Sequence, residues 1–191
     1  MSEPSDIAAM HRLALEASRS CVIGIDDDQW SQSSPCEGWT VRELLNHIVA
    51  GNLWAAELAS GRTITDVGSA FDGDMVGPDP VVAYDASAEA AAAAFEVPGA
   101  LDAPCAVSYG PVPGSVYAGH RFVDVLIHGW DLATATGQPT GLDPQLVDAC
   151  WEIVRPQLSM LQASGMFGVE GASGADDSPQ ASLLAALGRS G

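Results

Sequence analysis

The sequence contains no lysine, and its seven basic residues, all arginines, face 25 acidic ones. The resulting net charge is −18, and the pI is about 4.1. Such a surface repels phosphate backbones and anionic lipid headgroups, so we expect neither nucleic-acid binding nor membrane binding. Because lysine is absent, Schiff-base catalysis and a Walker-type phosphate loop are both excluded.

Long apolar runs and paired cysteines are also missing. No stretch approaches the ~18–20 apolar residues of a membrane span, and the N-terminus lacks the basic region and apolar core of a signal peptide. The four cysteines form no C-x-x-C pair, which favours reduced core thiols over a disulfide framework. We therefore expect a soluble cytoplasmic protein, with its assembly left open between a monomer and a homodimer.

What the sequence does contain is helical periodicity and 47% hydrophobic residues, typical of a globular fold. Helices are predicted over about 5–25, 40–60, 80–98, 115–136 and 144–164. A short hairpin or irregular crossover is predicted over 99–114, and a last short helix is predicted to start at Ser178 and Pro179. The pattern indicates an all-α helical bundle over 1–165, with an acidic loop and a short C-terminal helix over 166–191 that packs on it.

The second predicted helix begins with a complete start motif. In "CEGWTVRELLNHIV", residues 36–49, Thr40 and Glu43 have the spacing of a capping box. The apolar residues that follow recur at helical spacing and mark a buried stripe. His47 lies at the margin of that stripe, which places a titratable imidazole close to the core.

Three polar residues interrupt the otherwise apolar fourth helix, "HRFVDVLIHGWDLA", residues 120–133. Asp124 and His128 are about 40° apart around the helix axis, and Asp131 falls on the same strip. An unpaired carboxylate there would cost several kcal/mol, so it requires a partner. Two interpretations stay open: a His–Asp pair that fixes helix register, or a metal site completed by His47 from the second helix.

The remaining histidines have weaker patterns. His120 is also four residues from Asp124, but it is offset by about 80° from His128 and shares the strip only in part. His11 belongs to another helix without a partner motif, so we expect it to lie at the surface or in a cap.

Large aromatic residues and nucleophiles are assigned to packing. We expect Trp39, Trp54 and Trp130 to lie in the core, with a pocket lining as the alternative. Cys36 precedes a helix N-terminus, where a thiolate is stabilised, yet no other feature marks it as a nucleophile. No serine has an identifiable base, so a Ser-His-Asp hydrolase has no support.

Several segments together resemble a known family. "SPCEGWTVRELLNHIV", "FDGDMVGPDP", "PGSVYAGHRFVDVLIHGWDLATATG" and "DSPQASLLAALGR" are similar to the actinobacterial branch of the DinB-like superfamily. That branch is related to the metal-binding N-terminal domain of mycothiol-dependent maleylpyruvate isomerase. The most specific features are the histidine of "LNHIV" and the "D-x-x-x-H-x-W-D" pattern of the fourth helix.

The resemblance implies a DinB-type four-helix bundle with a crossover connection, an extra C-terminal helical segment and a central divalent metal. It assigns the ligands to His47, Asp124 and His128, whereas His120 falls outside the family pattern. Asp131 and His120 are candidates for supporting positions behind the ligands, with a local cap or pair as the alternative for Asp131. Zinc is the expected metal, with nickel, iron and manganese as alternatives. Relatives carry Glu or His where this chain has Asp124.

The function implied is that of a mycothiol-dependent thiol transferase or isomerase-like enzyme, with a small-molecule thiol and an electrophilic substrate as partners. A non-enzymatic, stress-linked metal-binding protein and a metal-dependent hydrolase are the alternatives. The related isomerase uses an arginine from a second, C-terminal domain. Since this sequence stops at Gly191, we do not expect maleylpyruvate isomerase activity itself.

Overall fold

A computed structural model describes residues 6–158 and 178–189 of the chain. The chain forms two compact units, Met1–Thr140 and Gly141–Gly191. The first unit contains four long helices: α1 (Ile7–Ile23), α2 (Val41–Ala59), α4 (Pro80–Glu96) and α5 (Gly114–Ala135). It also contains the short helix α3 (Ile64–Val67) and a hairpin of strands β1 (Pro104–Val107) and β2 (Gly110–Pro113).

The four long helices form the predicted bundle. The most extensive contacts join α1 to α5 and α2 to α4, followed by those of α1 with α4 and α2 with α5. The helices therefore follow one another around the bundle in the order α1, α5, α2, α4. In this order α1 lies opposite α2, and α4 lies opposite α5. The segments 24–40 and 97–113 therefore both connect opposite corners of the bundle, and the second of them includes the range where a crossover was one of the two predicted alternatives.

Helix starts follow the capping signals of the sequence. The Thr40 hydroxyl accepts a hydrogen bond from the Glu43 backbone N–H at 3.2 Å, and the Glu43 carboxylate accepts one from the Thr40 N–H at 2.8 Å. Asp6 and Asp79 cap α1 and α4 in the same way, through side-chain oxygens that accept backbone N–H groups. These caps satisfy N–H groups that a helix leaves unpaired in its first turn.

The segment before α5 contains a short hairpin, one of the two alternatives predicted for it. Strands β1 and β2 pair antiparallel, with Pro104 opposite Pro113 and Val107 opposite Gly110. Gly110 has φ of 112°, a backbone conformation that a residue with a Cβ rarely adopts. Helix α3 lies in the polar connection after α2, where we had predicted no helix; its Thr63 and Asp66 form a second capping box.

The second unit contains α6 (Pro144–Val154), a 3₁₀ turn (Arg155–Gln157) and α7 (Pro179–Ala186). The Trp151 indole N–H donates to the Pro179 carbonyl at 3.2 Å. The predicted extension of α6 to 164 and the predicted boundary at 165 fall outside the described residues. The boundary and the packing of the C-terminal segment on the bundle therefore stay predictions.

Among the described helices, none has both the length and the apolar composition that crossing a bilayer requires. All four cysteines lie in the described ranges, and none of them forms a disulfide.

Candidate metal centre

Helix α5 carries the polar strip that the sequence predicted. The side chains of Asp124, His128 and Asp131 expose 24%, 13% and 0% of their surface. Around the strip, Phe122, Val125, Leu126, Ile127 and Leu132 are buried. These apolar neighbours fix the rotation of α5, so the three polar groups all face one region at the edge of the core.

His47 reaches this region from α2. Its Nε2 lies 3.2 Å from Oδ1 of Asp124, and Nε2 of His128 lies 3.6 Å from the same oxygen. The two imidazole rings are nearly perpendicular, with centroids 5.0 Å apart. One ligand atom of each residue lies within 4.8 Å of the other two. The structure thus brings the three predicted ligands together, while their binding of a metal stays a prediction.

Arg121 holds the second oxygen of Asp124. Its Nη1 donates to Oδ2 of Asp124 at 2.8 Å, and its Nη2 donates to Oδ1 of Asn52 on α2 at 3.2 Å. Burial raises the pKa of Asp124, but the charge of Arg121 and the hydrogen bond with His47 outweigh burial and hold it well below its usual range. Asp124 is therefore ionised at neutral pH, with Oδ1 directed towards both imidazoles. No pattern in the sequence predicted that Arg121 would pair with Asp124.

Asp131 fixes the orientation of the His128 ring, while its role in supporting a metal ligand stays a prediction. Its Oδ2 lies 2.9 Å from Nδ1 of His128, which leaves Nε2 facing Asp124. Burial lowers the pKa of His128, but the hydrogen bonds with Asp131 and Cys36 more than reverse this and raise it to about 9. A cation at Nε2 would therefore have to displace a proton.

The loop before α2 contributes two residues whose places we did not predict. Cys36, expected only to pack, places its Sγ 3.4 Å from Oδ2 of Asp131 and 3.6 Å from Nδ1 of His128. The prediction that Trp39 lies in the core is wrong. Trp39 is 38% exposed, and its ring centroid lies 5.0 Å from that of His47.

The other candidate aromatic residues and His120 lie elsewhere. Trp130 is buried, as predicted, and Trp54 is half-buried with its ring edge-on to Phe71 at 5.9 Å. His120 belongs to neither cluster of possible ligands found among the described residues; its Nδ1 lies 2.5 Å from the Tyr109 hydroxyl. A supporting role for His120 at the centre stays a prediction.

The prediction for His11 is wrong, because this residue is fully buried in α1, edge-on to Phe95 at 5.3 Å. Within the described part of the chain, neither ring nitrogen of His11 has a hydrogen-bond partner. Burial lowers its pKa to about 3, and the charges of Arg121 and Arg12 act in the same direction against a smaller opposite effect of Glu96. Helical periodicity could have placed His11, because the residues three and four positions away from it, Ile7, Ala8, Ala14 and Leu15, are all apolar and mark the buried face of α1.

The fold agrees with comparisons to known proteins. Residues 11–133 match the model of the mycothiol maleylpyruvate isomerase N-terminal domain. This match covers more than half of the chain and includes His47, Asp124 and His128. The chain therefore belongs to that family, which confirms the resemblance seen in the sequence.

Two relatives, uncharacterised proteins from two strains of Mycobacterium tuberculosis, are each 37% identical over 141 residues, covering 71% of this chain and 70% of their own. A crystal structure of mycothiol-dependent maleylpyruvate isomerase superposes with a TM-score of 0.62 at 17% identity, over 84% of this chain and 70% of that one. A crystal structure of a histidine-to-alanine mutant of the isomerase superposes with a TM-score of 0.63 at 17% identity, over 89% of this chain and 74% of that one. At this identity the two structures support the fold alone.

Proposed function

We propose that the protein binds a divalent cation, zinc first among the candidates, between His47, Asp124 and His128. The observation that carries this proposal is the approach of three donors from two helices to within 4.8 Å of one another. Two imidazoles and one carboxylate are a usual ligand set for catalytic zinc and also suit nickel, iron or manganese. With three protein ligands, at least one coordination position is left for an exogenous group.

The surrounding residues orient the ligands and leave the centre accessible. Arg121 engages only Oδ2 of Asp124, so Oδ1 is available as a ligand. Asp131 holds Nδ1 of His128, an arrangement that orients a ligating imidazole and makes its other nitrogen more basic. The side chain of His47 is 36% exposed, so small molecules have access to the centre from this side.

We further propose that a small thiol, mycothiol by the name of the family, is the co-substrate, and that the protein transfers it to an electrophile or uses it in an isomerisation. A bound divalent cation favours the thiolate form of a thiol at neutral pH. Trp39 supplies an exposed apolar surface next to His47, against which an organic substrate can pack. The electrophile belongs to the class attacked by thiolates, such as an activated halide, an epoxide or an enoyl acid.

Metal analysis tests the first part of this proposal. The purified protein should carry close to one equivalent of a divalent metal, and His47→Ala should lose most of it. Asp148→Ala, which removes an exposed carboxylate outside the cluster, is the control and should retain it. The comparison is repeated with Cys36→Ser in both proteins, so that the nearby thiol cannot hold the ion. Equal metal content with and without His47→Ala in that background would refute the site.

A turnover assay tests the second part. With mycothiol and a chloro-dinitrobenzene or epoxide, the wild type should conjugate the thiol and His47→Ala should not. Bound metal without any thiol-dependent turnover would point to a non-enzymatic binding protein. Ester cleavage that does not need the thiol would point to a metal-dependent hydrolase. Either result would overturn the proposed activity.

A further inference from the structure

The imidazole of His128 has polar neighbours on both of its nitrogens. Nε2 faces Asp124 and His47, while Nδ1 faces Asp131 at 2.9 Å and Cys36 at 3.6 Å. The thiol of Cys36 also lies 3.4 Å from Oδ2 of Asp131. These three donors, from the loop before α2 and from α5, come within 4.8 Å of one another.

The second cluster is largely buried, and its loop is held in place by hydrogen bonds. Asp131 has no exposed side-chain surface, and His128 exposes 13% of its own. The loop that carries Cys36 is held by its own hydrogen bonds: the Cys36 N–H donates to Oγ of Ser34 at 3.2 Å, and the Trp39 N–H donates to the Cys36 carbonyl at 3.0 Å. The thiol is therefore positioned over the Nδ1 side of the ring before any ligand arrives.

The chemistry of the donors differs from that of the first centre. The second cluster offers one sulfur, one nitrogen and one oxygen, where the first centre offers two nitrogens and one oxygen. A thiolate ligand shifts the metal preference of a site towards soft d¹⁰ cations. Zinc and cadmium are the divalent ions of this class. One thiolate and one carboxylate also balance the two positive charges of such an ion.

We propose that Cys36, Nδ1 of His128 and Asp131 form a second, thiophilic cation site that competes with the first for a single imidazole. In a neutral imidazole only one ring nitrogen has a lone pair that can bind a metal, because the other carries the proton. A cation at Nδ1 therefore requires the proton on Nε2, and a cation at Nε2 requires it on Nδ1. Filling the second site releases the thiol proton and the Nδ1 proton to solvent and keeps Nε2 protonated. The competition rests on the proposed function, whereas the second site itself does not.

The test uses cadmium alone as the probe, added to full-length protein stripped by a chelator. Bonding of a thiolate to cadmium produces an ultraviolet charge-transfer band, which coordination by nitrogen and oxygen alone does not. The band should appear in the wild type and in His47→Ala, and it should be absent in Cys36→Ser. Cys21→Ser, which removes another half-buried thiol, is the matched control and should keep the band.

Three results would overturn the second site: no band in the wild type, a band retained in Cys36→Ser, or a band lost in His47→Ala. The last would mean that the thiol completes the first centre. Circular dichroism of each variant shows that the fold is intact. For the competition, the wild type should take one equivalent of cadmium in total, and two equivalents would refute the sharing of His128. Because His47→Ala disables only the first centre, the proposed function and the second site fail in separate experiments.

Discussion

Replacing Gly51 by alanine should destabilise the protein, although alanine is the better helix former. Gly51 lies in α2 opposite the buried guanidinium of Arg121. A Cβ built at this position would lie 2.5 Å from Nη1 of Arg121 and 2.7 Å from both Cζ and Nη2. The guanidinium has little freedom to withdraw, because it is bonded to Asp124 and Asn52 and its side chain is only 9% exposed.

The expected magnitude is a difference between two effects. In a helix interior, glycine to alanine gains about 1 kcal/mol. Moving the guanidinium gives up hydrogen bonds to a charged group, which contribute about 1.5–3 kcal/mol each. The loss of one such bond already exceeds the gain, so we expect Gly51→Ala to lower the free energy of unfolding by about 0.5–2 kcal/mol.

Urea unfolding of the chelator-treated protein measures this effect, and a double-mutant cycle isolates its cause. In an Arg121→Met background the guanidinium is gone, so Gly51→Ala should become neutral or stabilising by up to about 1 kcal/mol. This reversal of sign is the decisive result. A Gly51→Ala protein as stable as the wild type, or the same loss in both backgrounds, would refute the reasoning.

Two further predictions concern protonation and ligand orientation. Because the folded-state pKa of His11 is about 3 and its unfolded value about 6.5, its contribution to stability is complete above pH 6.5 and is lost as the pH falls towards 3. The free energy of unfolding, measured with urea between about pH 7 and pH 5.5, should therefore fall more steeply in the wild type than in His11→Leu. The difference in slope should reach about 1.4 kcal/mol per pH unit below the unfolded pKa. Parallel profiles of the two proteins would contradict this. Asp131→Asn should weaken metal binding about 10–100-fold in a chelator competition, because the acceptor that orients His128 is weakened. The exposed Asp148→Asn is the control, and equal affinities of the two variants would contradict an orienting role.

Much of the site could be predicted because helix geometry relates sequence spacing to direction. Asp124 and His128 are one turn apart in a helix whose other residues are apolar, so their shared direction follows from rotation alone. The start of α2 followed from Thr40 and Glu43, and the capping box is present in the structure. That His47 of α2 meets them was one of the two interpretations that the helical pattern left open, and the family resemblance favoured it.

The residues that prediction missed depend on contacts between distant segments. Cys36 and Trp39 lie in a loop whose position over α5 is set by tertiary packing, which local patterns do not encode. Arg121 resembles any surface arginine in the sequence, and its burial requires the gap left by Gly51 on another helix. His11 is a different case, because the apolar residues three and four positions away from it already indicated the buried face of α1, and the expected surface position overlooked them.

The loop between α1 and α2 is closed at its base. Ser33 and Thr40 form an isolated antiparallel bridge, and the Ser34 N–H donates to the Trp39 carbonyl at 2.8 Å. Residues inside this closed loop can therefore be exchanged while the entry into α2 keeps its geometry. In evolutionary terms, the loop side chains that contact His128 can change independently of the helices. We expect that related chains can alter their reactivity at a few loop positions without loss of bundle stability.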